Sequence, residues 1–208
     1  MSPGWFVVPA QPIKASKPPS GTDWVHEIKH DGYRLIVRRD GPAVRLYTRN
    51  AYDWTARLPA IAAAAARIKA KSFTIDGEAV VLGPDGLSRF DELRRREAAH
   101  SAMLYAFDLI EHDGRDLRDL PFLDRKAALA LLLRGTKAGI LLNEQGVGNG
   151  VRVAEFLTQP RPARAKSPVP IFSVSSRTAS PVHRVSSEGK HSEPRAAGPC
   201  RFRLAGSR

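Results

Sequence analysis

The hydrophobic pattern changes period several times along this chain, and each change marks an element. Trp24 to His30 and Tyr33 to Arg39 are short segments rich in apolar and β-branched residues, joined by Asp31-Gly32, a dipeptide that favours tight hairpin turns. Asp40-Gly41 repeats the turn signal, and Ala43 to Thr48 follows as a third strand. Three short strands with tight turns predict an antiparallel sheet. From Thr55 the period becomes helical, with Leu58, Ile61, Ala65 and Ile68 on one side of an alanine-rich segment. Phe73 to Leu82 predicts a strand closed by the turn Gly83-Pro84-Asp85-Gly86. Phe90 to Ala98 predicts a short charged helix, and Met103 to Ile110 a strand. Phe122 to Leu133 predicts a helix with Leu129, Leu132 and Leu133 on its apolar side, and Gly139 to Leu142 a last strand. Strands and helices do not alternate strictly, so the predicted class is α+β rather than a doubly wound parallel sheet.

The pattern fades towards both ends. Residues 1 to 23 hold five of the 16 prolines and read as an extended lead-in. After Thr158 no period of two or of 3.6 is sustained. Residues 159–208 hold nine serines, seven prolines, ten Lys or Arg and two acids. This composition cannot bury enough surface to offset ordering entropy, so residues 159–208 are expected to be a disordered basic tail, and residues 1–158 the ordered domain. The tail supplies a net +8 of the chain's +12. A chain this basic favours an anionic partner such as nucleic acid or nucleotide. The single cysteine, Cys200, excludes a disulfide scaffold and a cysteine-ligated zinc site. The apolar run Ala60 to Ala66 is too short to span a bilayer. The first residues lack the basic start and apolar stretch of a signal peptide. A cytoplasmic monomer with no membrane contact is expected.

The candidate chemistry centres on Glu27-Ile28-Lys29-His30-Asp31-Gly32-Tyr33-Arg34. Strand alternation would put Glu27, Lys29 and Asp31 on one face. A lysine near another cation, here Arg34, reaches its neutral nucleophilic form more easily, while Glu27 acts in the opposite sense. A bare K-x-D-G is also what a solvated hairpin presents. His26 and His30 do not converge on a metal ion at this spacing in a strand.

The longer string from Trp24 to Arg34 resembles the nucleotidyltransferase motif of bacterial ATP-dependent DNA ligases, in particular the ligase domains of the end-joining type. The family's K-x-D-G-x-R is Lys29, Asp31, Gly32 and Arg34 here. Thr48-Arg49-Asn50, Asp76-Gly77-Glu78, Tyr105-Ala106-Phe107-Asp108 and Leu123-Asp124-Arg125-Lys126 resemble four further motifs, in the family's order. Any one is weak; five in order are strong. The resemblance covers roughly residues 5 to 143. It implies an antiparallel-sheet nucleotidyltransferase fold (ATP-grasp-like) of the ligase adenylation kind. It also implies ATP and Mg²⁺ as cofactors, and nicked double-stranded DNA as partner in repair or recombination, with end-joining or repair proteins as further partners. Lys29 would attack the α-phosphate of ATP to form a lysyl–AMP. Arg34 and Arg49 would donate to phosphate or ribose oxygens. Glu78 would hold a ribose hydroxyl or help place Mg²⁺. Phe107 would stack on adenine, and Glu27 would accept from the adenine amino group.

The resemblance also implies a later E-G-x-x-x-K motif and a K-x-K, neither of which follows Asn143-Glu144; Glu188-Gly189-Lys190 has the wrong spacing and Arg201-Phe202-Arg203 is a poor substitute. A truncation or frameshift near this point is the expectation, with sealing activity lost. A nucleotide- or DNA-binding remnant without turnover and an RNA ligase or capping-type nucleotidyltransferase remain as alternative readings.

Overall fold

The computed structural model describes residues 6–10, 13–14, 19, 21, 23–86, 88–95, 97–136, 138–147, 171–175 and 184–187. Two sheets carry the fold. The first runs in the order β1 (Ile13–Lys14), β11 (Arg184–Ser187), β10 (Ile171–Ser175), β2 (Trp24–Ile28), β9 (Gln145–Val147). The second runs β4 (Ala43–Thr48), β3 (Tyr33–Asp40), β5 (Ser72–Val80), β6 (Met103–His112), β7 (Arg115–Asp116), with β8 (Ile140–Leu142) pairing parallel to β6.

The predicted strands and helices fall close to where the pattern put them. Edge strand β4 alternates, burying Val44, Leu46 and Thr48 and exposing Ala43 and Arg45. Central β3 and β5 have both faces covered. Leu35, Val37, Phe73, Ile75 and Ala79 enter the main core, joined by Leu104 and Leu109 of β6. Helix α1 (Pro59–Ala66) adds Ile61, Ala64 and Ala65 to that core, starting at a proline whose missing N–H costs nothing there. Helix α2 (Phe122–Leu132) lies along β6 and buries Phe122, Arg125, Lys126 and Leu129.

Two expectations need correction. Asp31-Gly32 is not a hairpin turn, because β2 and β3 belong to different sheets and do not pair. Gly32 is needed for space instead: a Cβ there would lie 2.0 Å from the Ala79 carbonyl oxygen, whereas its φ is not left-handed. The segment predicted as one charged helix is two 3₁₀ turns, Phe90–Arg94 and Glu97–His100. Leu93 is the buried side chain of the first turn, and three consecutive arginines follow it, so no apolar stripe exists to hold a longer helix. Of residues 159–208 the structure describes β10, which pairs antiparallel with β2 from Ile171↔Ile28 to Ser175↔Trp24, and β11, which pairs with β10. The edge of β2 offers unpaired backbone donors and acceptors, which recruit a strand without regard to the composition around it. The rest of residues 159–208 lies outside the described residues.

Candidate active site

The resemblance-bearing residues gather where the two sheets meet. On β3 and β5, residues of even number point away from the main core, and the register sets Arg34 opposite Glu78 and Ile36 opposite Asp76. Arg34 forms a two-pronged ion pair with Asp76, Nε to Oδ1 at 2.9 Å and a terminal nitrogen to Oδ2 at 2.6 Å. Its other terminal nitrogen donates to the Ala10 carbonyl. Three of the five guanidinium N–H groups are thus used within the protein.

Phe107 reaches this face through an irregularity in β6. The register passes from Asp76↔Asp108 to Gly77↔Ala106, so Phe107 is the extra residue at this step of β6, and a bulge of this kind re-aims side chains. Ala106 and Leu109, three residues apart, both enter the main core, so Phe107 and Asp108 between them serve the other side. The Arg34 guanidinium carbon lies 5.5 Å from the centre of the Phe107 ring, a cation–π distance. Asp108, fully buried, receives Nε of Arg125 at 2.9 Å and a terminal nitrogen at 3.0 Å.

Glu27 does not share an open face with Lys29 and Asp31 as strand alternation predicts. Strand β2 ends at Ile28, Asp31 is exposed, and Glu27 is buried against Lys126 of α2, whose Nζ donates to Glu27 Oε1 and to the Phe107 carbonyl at 3.3 Å. Lys126 thereby ties the end of β2 to the bulge of β6. Lys29 follows on the connection to β3, half-buried. Its neighbour His30 stacks on Tyr105 with ring centres 3.7 Å apart. Burial pushes the His30 imidazole down to about 4, with the Lys29 charge adding to the effect and the Asn143 hydrogen bond opposing it. Arg49 lies one residue past the Leu35↔Thr48 pair, exposed on the turn after β4.

Glu78 is the electrostatic outlier. Burial pushes its carboxyl up to about 7, against the pull of Arg34 and Lys29 and with that of Asp76 and Asp31. A folded-state value above the unfolded 4.5 means that the folded protein holds a proton the unfolded chain has released. The stability this lends is fully present below pH 4.5 and is lost as pH rises through 7. Glu78→Gln, which does not titrate, is therefore expected to be more stable than the parent above pH 8, by at most about 3 kcal/mol. The two should converge near pH 4. Urea unfolding across this range checks the expectation, and a difference independent of pH would contradict it.

The structure thus brings Glu27, Lys29, Arg34, Glu78 and Phe107 to one region and leaves Arg49 at its rim. Sequence reasoning gave no role to Lys126, Arg125, Asn143 or His30. The adjacent cations Arg125 and Lys126 in the first half of an apolar helix were the available signal, since buried charges need specific partners.

A family described as the ATP dependent DNA ligase domain matches residues 8–162. Over 136 residues the chain is 41% identical to the multifunctional non-homologous end joining protein LigD of Pseudomonas aeruginosa, covering 64% of this chain and 16% of that protein. Over 118 residues it is 45% identical to a probable DNA ligase of Streptomyces griseus, covering 51% and 23%. Its structure is similar to that of a mycobacterial DNA ligase D complexed with ATP and MES, with a TM-score of 0.70 and 27% identity over 87% of this chain and 60% of that one. The ligase domain from Mycobacterium tuberculosis LigD gives a TM-score of 0.68 at 26% identity, covering 86% and 60%. The chain spans about a sixth to a quarter of the length of these two curated relatives. With the resemblance-bearing motifs in order along the chain and the family match covering most of its length, the chain belongs to the ATP-dependent DNA ligase domain family.

Proposed function

We propose that the chain is the adenylation part of an ATP-dependent DNA ligase, in which Lys29 takes AMP from ATP for delivery to a nick in double-stranded DNA. The observation that carries this reading is the setting of Lys29: a half-buried lysine between two sheets, close enough to Glu78 to influence its carboxyl, next to a face bearing Arg34 and Phe107. In the first step the ammonium gives up a proton, the Nζ lone pair forms a bond to the α-phosphorus, and the bond from that phosphorus to the pyrophosphate oxygen breaks. The AMP then passes to the 5′-phosphate of the nick, and the 3′-hydroxyl displaces it. Dividing a difficult transfer into easier ones in this way is covalent catalysis.

The remaining residues serve alignment and charge. Phe107 would stack on adenine, and Glu27, oriented by Lys126, would accept from its amino group. Arg34, preset by Asp76, would turn its unused donors to ribose or phosphate, and Arg49 would meet phosphate from the rim. Glu78 would hold a ribose hydroxyl or a water of Mg²⁺. When bound, Mg²⁺ would neutralise charge on the phosphates. It usually takes one or two carboxylates beside phosphates and waters, so Glu78 suits it although no group of three or more His, Cys, Asp or Glu gathers among the described residues. The setting would be DNA repair or recombination in the cytoplasm, alongside end-joining proteins. No described helix is long and apolar enough to cross a membrane.

Incubation with ATP labelled at the α-phosphate and Mg²⁺ tests the reading. A covalent label stable to alkali and labile to acid is expected on the parent and absent from Lys29→Ala. Label surviving in Lys29→Ala overturns the assignment. No E-G-x-x-x-K and no K-x-K follows Asn143, and each lost phosphate donor costs on the order of 10²–10³ in rate. Label should therefore form slowly, and a nicked duplex should stay unsealed. The same observation favours a second reading, nucleotide binding without turnover. ATP binding by calorimetry with no label at any time would select it.

A further inference from the structure

We infer that Asn143 is the residue that fixes Lys29 in place, a positioning residue whose side chain grips the chain on both sides of the nucleophile. Its Nδ2 donates to the Ile28 carbonyl at 3.1 Å, and its Oδ1 lies 3.0 Å from Nε2 of His30. Ile28 and His30 flank Lys29. The inference rests on the reading of Lys29 as nucleophile.

The hydrogen-bond chemistry allows one arrangement. A backbone carbonyl can only accept, so the nitrogen of the Asn143 amide faces Ile28 and the oxygen faces His30. The His30 ring must then donate from Nε2, which fixes its tautomer. Both polar ends of the amide are satisfied, as a side chain that is 2% exposed requires.

Asn143 is itself well founded. It directly follows β8, which pairs in parallel with β6, and its own N–H donates to the Ala106 carbonyl at 2.7 Å. His30 is held a second time by stacking on Tyr105, also of β6. Lys29 thus hangs between two residues whose positions refer back to β6 of the second sheet, although Ile28 ends a strand of the first. The same strand presents Phe107. A nucleophile and its neighbouring ring therefore share one frame, and alignment of this kind is what an in-line transfer depends on: a displacement of about 1 Å costs roughly 10²-fold in rate.

Backbone hydrogen exchange and adenylation kinetics on the full chain test this together. In Asn143→Ala, exchange at the amides of residues 29–32 should rise about tenfold or more, the scale of losing two net hydrogen bonds. Amides of β5 and β6 should be unaffected. Lysyl–AMP formation at saturating ATP should fall about 10²-fold with an unchanged KM for ATP. Asn143→Asp keeps the acceptor for His30 and loses the donor to Ile28, so it should fall between. Unchanged exchange at 29–32, an unchanged adenylation rate, or equal acceleration across β5 and β6 in both variants overturns the inference. Failure of the parent chain to form lysyl–AMP would count against the Lys29 chemistry alone, since the exchange measurement decides the role of Asn143 without ATP.

Discussion

Replacing Arg125 with methionine is expected to destabilise the folded protein by about 3–5 kcal/mol, the cost of removing one member of a buried ion pair. Asp108 is fully buried and receives two guanidinium bonds from Arg125, whose side chain is itself 1% exposed. Methionine fills much of the same volume, so the loss isolates charge from packing. The Leu109 N–H, which donates to Asp108 Oδ1 at 2.9 Å, offsets only part of the desolvation. A second substitution, Asp108→Leu in the Arg125→Met background, should recover most of the loss, because a buried pair exchanged for apolar groups is often neutral. Urea unfolding of the three proteins gives the comparison. A cost below about 1 kcal/mol for Arg125→Met, the size expected of an exposed pair, would show that Asp108 is served by other groups.

The second large effect is expected at Gly32. An alanine Cβ there would stand 2.0 Å from the Ala79 carbonyl oxygen and about 3 Å from the Ala79 carbonyl carbon and Val80 Cγ1. Two of the three obstacles are backbone of a central strand, which cannot swing aside as a flexible side chain can. The cost should reach about 3 kcal/mol, the upper end for overpacking. The relief available is for the 29–32 connection to lift off β5, which would carry Lys29 with it. Gly32→Ala should therefore lose lysyl–AMP formation more completely than ATP binding. Equal melting temperatures for Gly32→Ala and the parent would refute the steric argument.

Gly32 also marks a limit of what the sequence discloses. The dipeptide Asp31-Gly32 has the composition of a hairpin turn, and local chemistry alone cannot distinguish a turn within one sheet from a crossing between two. That distinction is made by Ala79, far along the chain, whose carbonyl occupies the space a side chain would need. The strands β3, β4, β5 and β6 were legible because their apolar runs are bounded by turn residues. Helix α2 was legible as a helix, but its burial of Arg125 and Lys126 was not, since the partners Asp108 and Glu27 lie on strands that propensity cannot place. The candidate site was readable only through motifs in order. Spacing within the motifs gave no sign that Arg34 would spend its fork on Asp76, or that Phe107 would reach the site by a bulge. The pairing of β10 with β2 was hidden for a different reason: an open strand edge selects by backbone, which composition does not encode.

The fasteners of the Lys29 region have one more consequence, which concerns the order of synthesis. Lys126 meets Glu27 across 99 positions of sequence, and Asn143 meets His30 and Ile28 across 113 and 115. At translation rates of 5–20 residues per second, about 5–20 s separate the appearance of the lysine from that of the residues that hold it. Throughout this interval the nascent chain carries a complete K-x-D-G-x-R string with no means of aiming it. If Lys29 is the AMP acceptor proposed above, a ribosome-bound chain is expected to take no AMP there before α2 and β8 have docked, so the chemistry would start only when the fold that directs it has closed.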